Sequence, residues 1–428
     1  MINTTYRKIK VFISAVLFFT TTTARLAAET GIRPKTLTPD NLATDVLKNN
    51  PQIKAARAGY ETAAADASAA SWPRQPMIFY EEKIAPSDSA KATMFGAEQT
   101  IPMPPNKLLV GRAEAKARAR AGAAALDETT RVVVSMAKKA YWDYYFALTS
   151  MEKRKENLQL LESLATTAEA RYISGKKSKA DFVRAALEMA MEENEILRLD
   201  AEAAKIAAEI NALRGSNGDA LLPPPDVSVD IGIAPPSINS ARVAEAARAN
   251  SANAARMSEL GRAAEERRKF ETLSWIPDIR VGAKIDRMDD TRDETRLMLA
   301  AELPLWLPKQ SATVKSAGQS ENESINNIES ALLEAESSAL ALYHRIVYLS
   351  RAVNNFKTAI LPAAEQALEI IRADYIAGRA GFTDLIETQR NLIAQKISLA
   401  EAVSAYHKNL AELEVITGKL PQGHGGHQ

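Results

Sequence analysis

Residues 107–172 constrain the fold more than any other part of the chain, because this stretch of 66 residues contains no proline and only two glycines, Gly111 and Gly122. Ala, Glu, Lys, Arg and Leu dominate it, and these residues favour long helices. As a single helix it would extend roughly 100 Å at ~1.5 Å per residue. Helices in ordinary globular domains average about 11–12 residues. The sequence therefore predicts an elongated and mainly helical protein with a small β part.

The chain is similar to itself after a shift of 203 positions, which carries Tyr172–Gly175 onto Tyr375–Gly378 and Trp72 onto Trp275. Because Trp, Pro and Gly positions stay in step over most of the chain, we predict a tandem duplication. Each half is predicted to contain a helix, a β-hairpin, a long helix, a turn and a final helix. The predicted units are a first repeat over 29–222, a Pro-rich linker over 223–240, a second repeat over 241–418 and a flexible His/Gly tail over 419–428.

The helix after each turn has an apolar residue at every seventh position, a spacing typical of left-handed coiled-coil packing. Pro362 is predicted to kink or split the second long helix. At the start of the first half, residues 42–70 are predicted to form one Ala-rich helix. The repeating positions are Phe182, Met189, Ile196, Ala203 and Ile210 in the first half and Leu385, Leu392, Leu399, Tyr406 and Leu413 in the second.

Short stretches of alternating polarity lie between the helices and predict strands at 77–83, 91–99, 278–286 and 295–303. Each stretch is about as long as a tilted transmembrane strand, with apolar residues on one face and charged residues on the other. A water-exposed hairpin with one wet face is the other interpretation. Two hairpins cannot close a barrel within one chain, and open edges are excluded from lipid. A membrane barrel would therefore be shared, and three chains would supply twelve strands.

The first 28 residues have the layout of a secretory signal peptide. A basic start with Arg7, Lys8 and Lys10 is followed by an apolar stretch over 11–19 and by small residues ending at Ala28. A retained anchor helix is the alternative, although the apolar stretch is short for a membrane span. A signal peptide predicts export, which in a bacterium with two membranes leads to the periplasm or the outer membrane.

The composition excludes several functional classes. The chain has 54 basic and 53 acidic side chains and a net charge of +1, whereas a duplex-binding protein needs a basic excess, so no nucleic-acid partner is predicted. With no cysteine, disulfides, thiolate metal sites and an acylated N-terminal Cys are excluded. Phosphate-binding Gly-rich loops, HExxH motifs and nucleophile elbows do not occur, so we predict neither catalytic residues nor a cofactor.

Several motifs, in this order, resemble those of the TolC-type outer membrane efflux family. They are Asn49-Asn50-Pro51, Gln99-Thr100-Ile101-Pro102, the run from Ile360 to Leu368, Tyr375-Ile376-Ala377-Gly378 and Thr383-Asp384-Leu385-Ile386. The similarity covers residues 40–418, and among relatives the chain is most similar to those that serve metal-efflux pumps. Two features differ from the family pattern. Asn106-Lys107 and Lys309-Gln310 stand where Gly-Lys often follows the strand-ending Pro, and the N-terminal Cys of many relatives is missing.

The resemblance implies a homotrimer with a shared twelve-strand barrel among outer-membrane lipids and a helical barrel in the periplasm. It also implies docking to a periplasmic adaptor protein and an inner-membrane pump. The predicted function is a passive outer-membrane channel of a tripartite efflux or secretion system. The alternative is a periplasmic adaptor-like coiled-coil protein, but adaptors are expected to carry one helical hairpin flanked by Gly/Val-rich β domains.

By this resemblance the turns at Gly175 and Gly378 form the periplasmic tip of the channel. Charged residues cluster there, and they either contact the adaptor and hold the tip closed or only keep exposed helix ends soluble. The predicted adaptor contacts are Gly175, Lys176, Lys177, Gly378 and Arg379, and the gate candidates are Asp374, Arg372 and Asp181.

Two further groups of residues have open interpretations. His424 and His427 in the tail are candidate metal ligands, with a solvated terminus as the alternative. Trp72, Trp275 and Trp306 border the predicted strands. They form either an aromatic girdle at the membrane interface or the packing of the helix-to-strand junction.

Overall fold

The computed structural model describes residues 36–82, 92–175, 178–225, 233, 238–288 and 292–418. The predicted signal peptide, Lys176, Lys177, His424 and His427 lie outside these residues. The prediction of a mainly helical fold with a small β part is confirmed. In chain order the elements are α1 (Pro39–Asn49), α2 (Pro51–Ala69), β1 (Met77–Glu82), β2 (Ala92–Ile101), α3 (Asn106–Ile173), α4 (Lys179–Leu213), α5 (Ser240–Asn250), α6 (Ala252–Leu273), β3 (Ile279–Met288), β4 (Arg292–Ala301), α7 (Leu307–Asn355), a π-helix (Phe356–Ile360), α8 (Leu361–Ile376) and α9 (Phe382–Thr417).

Helix α3 confirms the predicted long helix and is the central helix against which most of the others pack. It contains 68 residues, which corresponds to roughly 100 Å at ~1.5 Å per residue. Helices α1, α2, α4, α6 and α9 all pack against it. The second long helix is split as predicted, because a π-helical turn separates α7 from α8 just before Pro362. None of the described helices is both long enough and apolar enough to cross a membrane.

The prediction of a single helix over 42–70 is wrong, since α1 ends at Asn49 and α2 begins at Pro51. The Asn50 side chain between them accepts hydrogen bonds from the N–H groups of Gln52 (2.8 Å) and Ile53 (3.1 Å). It also donates to the Leu213 carbonyl at the end of α4 (2.8 Å). Asn50 therefore starts a new helix and fastens it to the last helix of the same half.

The four strands form one antiparallel sheet in the order β1-β2-β3-β4, so the two hairpins join through β2 and β3. The predicted strand ends are corrected by up to three residues. β4 begins at Arg292 rather than at residue 295, and β3 continues to Met288. Much of the predicted polar loop between them is therefore strand. Cross-strand hydrogen bonding, which the alternation of side chains does not report, decides these ends.

The predicted seven-residue repeats lie at helix contacts. In α9, Leu385, Leu392, Tyr406 and Leu413 are buried and Leu399 is half-buried. In α4, Ala203 and Ile210 are buried and the other three positions are half-buried. The larger apolar core surrounds the middle of α3, and a smaller one surrounds Tyr375 near the turns. The repeats therefore bind helices to one another.

Candidate functional site

The sheet exposes its apolar face. Cross-strand partners place Ile78, Ala97, Ala283 and Leu297 in one row on this face. Leu297 and its neighbour on the same face, Leu299, are 87 % and 77 % exposed. Tyr80, Phe95, Val281 and Ile285 are also exposed on this face. A soluble hairpin would turn these side chains towards a core, so the polarity of the sheet is inverted.

The opposite face of the sheet carries paired charges. The Arg280 guanidinium lies 3.4 Å from the Glu98 carboxylate, and Arg296 lies 3.1 Å from the buried Asp286. The Phe79 ring covers Gly96 on this face, where a Cβ would collide with it. The predicted separation of Arg280, Gly282, Lys284 and Asp286 from the apolar residues of β3 is therefore confirmed.

Exposed apolar side chains continue from β4 to the start of α7. Trp306 is 78 % exposed, and Trp72, at the start of the other hairpin, is 75 % exposed. Leu303, Leu305 and Leu307 are also exposed. Packing at the helix-to-strand junction within one chain does not account for these two indoles, and the aromatic girdle stays a prediction.

Below the sheet, the junction of the two halves is held by an ion pair. The Lys107 ammonium group contacts the Asp278 carboxylate at 2.8 Å, and Met103 N–H donates to the same oxygen at 3.0 Å. The Phe270 ring lies 5.6 Å from the same ammonium group. In the sequence, Lys107 stood out only as part of Asn106-Lys107, which replaces the usual Gly-Lys. Its role depends on a residue 171 positions away.

At the other end of the molecule, the two predicted turns contain glycines with positive φ, 69° at Gly175 and 78° at Gly378. Only glycine adopts this conformation without strain. Arg171, just before the first turn, donates to the carbonyls of Tyr375 and Ile376, both at 3.1 Å. Its guanidinium also lies 4.5 Å from the centre of the Tyr375 ring. One side chain of the first half therefore fastens the turn of the second half.

The predicted tip residues differ in their surroundings. Arg379 is bound to Asp374 (2.8 Å) across the second turn. Arg372 is exposed and makes no hydrogen bond or ion pair with any residue that the structure describes. Asp181 is half-buried in the first turn of α4. Burial raises the pKa of the Tyr375 hydroxyl, and the charges of Arg171 and Asp181 act on it in opposite directions.

A buried polar cluster further along the helices was not predicted from the sequence. The Gln389 amide donates to Asn157 (2.7 Å), and Asn157 donates to Glu192 (2.7 Å). Arg154 also donates to Glu192 (2.9 Å). These residues join α9, α3 and α4 beside a cavity of about 540 Å³. Polar residues at inward-facing helix positions were the only signal available for this cluster.

Metal binding has no support from the described residues, where no group of three or more His, Asp or Glu side chains could hold a metal ion. The two candidate histidines lie outside these residues. Chemically, the arrangement offers an apolar belt, a charged opposite face and a fastened tip.

No protein-family model matches the chain, and no curated protein matches it in sequence. Solved structures share its fold. CusC, solved in work on folding and transmembrane channel formation, has a TM-score of 0.79 and 15 % identity, and the match covers 89 % of this chain and 92 % of that one. The outer membrane protein VceC from Vibrio cholerae has a TM-score of 0.76 and 18 % identity, covering 89 % and 96 %.

The Campylobacter jejuni CmeC outer membrane channel has a TM-score of 0.77 and 13 % identity, and the match covers 89 % of this chain and 85 % of that one. These are TolC-type channels. The fold therefore defines a class of proteins with very long helices and a four-stranded sheet whose apolar face is exposed. At the level of the fold, the resemblance to the TolC-type family is confirmed.

Proposed function

We propose that this protein is the outer-membrane channel of a tripartite efflux or secretion system. It acts as a passive conduit from the periplasm to the exterior and performs no chemistry. The inverted sheet carries this proposal, because side chains such as Leu297 and Leu299 are stable in this exposed position only against lipid or another apolar surface. The fold shared with solved outer-membrane channels supports the same conclusion.

Three copies would share one barrel of twelve strands, because the four strands of one chain leave both outer edges of the described sheet without a partner. The apolar face would meet lipid and the charged face would line the passage. The helices would project into the periplasm. The gate would lie at the turns of Gly175 and Gly378, with Asp374, Arg372 and Asp181 as the gate residues.

Opening would follow docking of a periplasmic adaptor and an inner-membrane pump at this tip, with Gly175, Lys176, Lys177, Gly378 and Arg379 in contact. Charge reversal at Lys176 and Lys177 tests this part separately. Reduced efflux together with reduced adaptor cross-linking is expected. Unchanged efflux and cross-linking would remove both lysines from the docking surface.

Membrane fractionation and single-channel recording test the channel itself. We expect the protein in the outer membrane as a heat-modifiable trimer that conducts ions in a planar bilayer after extraction in detergent. A single chain recovered from the periplasm without detergent would contradict the proposal and would favour the adaptor-like alternative.

A further inference from the structure

Within the described sheet, the outer edges of β1 (Met77–Glu82) and β4 (Arg292–Ala301) have no partner strand. Free backbone groups are not tolerated in hydrocarbon, so in a shared barrel β1 of one copy must pair with β4 of the next. We propose a specific register for this pairing, in which Phe79 of one copy faces Ala300 of its neighbour. It rests on the proposed function, since only a shared barrel contains this contact.

Backbone hydrogen bonding limits the choice of register. Glu302 N–H donates to the Asp278 carbonyl (3.4 Å). Because these groups alternate along an antiparallel strand, the N–H and C=O of Ala300 also point towards β3. Those of Leu299, on the apolar face, point outwards to the next copy. Followed from β3 through β2 to β1, the same alternation leaves the backbone N–H and C=O of Tyr80 pointing outwards from the sheet. Apolar faces therefore match only when neighbouring copies are offset by an even number of residues.

The tilt of barrel strands selects the size of the offset. Tyr80, Phe95, Ile285 and Thr295 form a row straight across the sheet, so with no offset Thr295 would face Tyr80 of the next copy. Strands in closed barrels tilt by about 35–45°. With ~3.4 Å per residue and ~4.8 Å between strands, offsets of two, four and six residues per copy give tilts of about 20°, 35° and 47°. Four residues is the offset within the usual range.

The direction of the offset follows from the backbone that must be paired. Moving β1 towards the helix end of β4 places all of Met77–Glu82 opposite residues 297–302. Moving β1 by four residues in the other direction would leave only Met77–Phe79 opposite β4. The outward-pointing N–H and C=O of Leu299 would then have no partner and would face lipid. In the first arrangement Tyr80 faces Leu299, and both side chains lie on the apolar face.

Charge pairing also discriminates between the offsets. With no offset, Glu81 would face Glu294, and like charges directly opposite each other are destabilising. An offset of two would place Glu81 opposite Arg296. Arg296 already binds Asp286 (3.1 Å) and Glu294 (3.2 Å) in its own chain, which removes most of the gain from a third carboxylate. An offset of four places Glu81 opposite the neutral Met298.

Disulfide cross-linking can read this register cleanly, because the chain contains no cysteine. We would combine Phe79→Cys with one of three partners. Ala300→Cys reports an offset of four residues, Met298→Cys an offset of two and Glu302→Cys an offset of six. Position 300 should be a non-hydrogen-bonded site on the outer edge, where opposed Cα atoms lie about 4.5 Å apart. Within one chain, β1 and β4 are about 14 Å apart, so a bond at these positions must join two copies.

We expect the 79–300 pair to form a reducible covalent trimer in outer membranes at about ten times the yield of the 79–298 and 79–302 pairs. Glu81→Cys with Met298→Cys tests the same register without removing the Phe79 ring. Single-cysteine variants control for random collision. Strongest cross-linking at 79–298 or 79–302 would overturn the register but leave the shared barrel standing. No cross-link at any pair, together with a single-chain mass in detergent, would overturn both.

Discussion

The imidazole ring of His407 in α9 is stacked on the indole ring of Trp142 in α3, with centroids 3.9 Å apart and planes 7° apart. Tyr406 approaches the same imidazole edge-on at 5.1 Å. Burial in these surroundings lowers the pKa of His407 to about 4. His407 therefore packs between α3 and α9. The other histidine among the described residues, His344, is exposed on α7.

The first prediction concerns acid stability. His407 is neutral in the folded protein. The stability that its packed ring contributes is therefore fully present above the unfolded pKa of about 6.5 and is lost as the pH falls towards 4. The loss amounts to about 3 kcal/mol, because protonation favours the unfolded chain over this window. His407→Phe keeps a flat ring and should reduce the drop in melting temperature between pH 7.5 and pH 4.5. His344→Phe is the control. An unchanged pH dependence in His407→Phe would contradict the assignment.

The second prediction concerns the junction below the sheet. Lys107→Ala removes the partner of Asp278 and should lower the free energy of unfolding by about 2 kcal/mol, since only part of the pair is solvated. The Lys107 side chain is 10 % exposed and that of Asp278 is 29 % exposed. Lys309→Ala, next to Gln310 at the corresponding place in the second half, should change little, because Lys309 is exposed and makes no ion pair with the described residues. Denaturant unfolding of both variants measures the difference, and equal losses would refute this role.

The third prediction tests the two faces of the sheet with neighbouring residues. Leu299→Lys places a charge on the exposed apolar face and should cost about 2–4 kcal/mol if this face meets the middle of a bilayer. Met298→Lys places the same charge on the opposite face, across from Gly282 in its own chain and from Glu81 of the next copy in the proposed register, and should have a small effect. The amount of heat-modifiable trimer in the outer membrane measures both. Similar losses in the two variants would show that the apolar face does not meet lipid.

The fourth prediction concerns the tip. Arg171→Ala removes two hydrogen bonds from a charged group to the carbonyls of Tyr375 and Ile376, so local opening of this turn should increase by about tenfold or more. Limited proteolysis at residues 374–381 measures the opening, and entry of a large antibiotic measures leakage through the channel. Lys179→Ala removes an exposed ammonium group nearby and should leave both unchanged. If both variants open the tip equally, general loss of charge would be the cause.

Much of the fold could be predicted because the sequence carries strong local signals. The long helix α3 follows from 66 residues without proline, and the turns follow from Gly175 and Gly378. The split before Pro362 follows from the missing N–H of proline. The strand ends and the break between α1 and α2 were missed, because pairing across the sheet and capping by Asn50 override weak local preferences.

The candidate site was only partly predictable. The alternation in β3 indicated an apolar and a charged face, and the structure shows which of them is exposed. A cluster of charges at the tip was predicted, but the contact of Arg171 with Tyr375 joins residues 204 positions apart. Asn157, Glu192 and Gln389 had no individual signal, since a polar residue on a helix is usually solvated.

By itself the sequence determined the length of the longest helix, the order of the elements, the repeat of that order and the two faces of the strands, because propensity and periodicity act between neighbours in the chain. Only the tertiary structure decided which distant residues meet, as in Trp142 with His407 or Lys107 with Asp278. Such contacts depend on the relative rotation of whole helices, which the packing of many side chains fixes together.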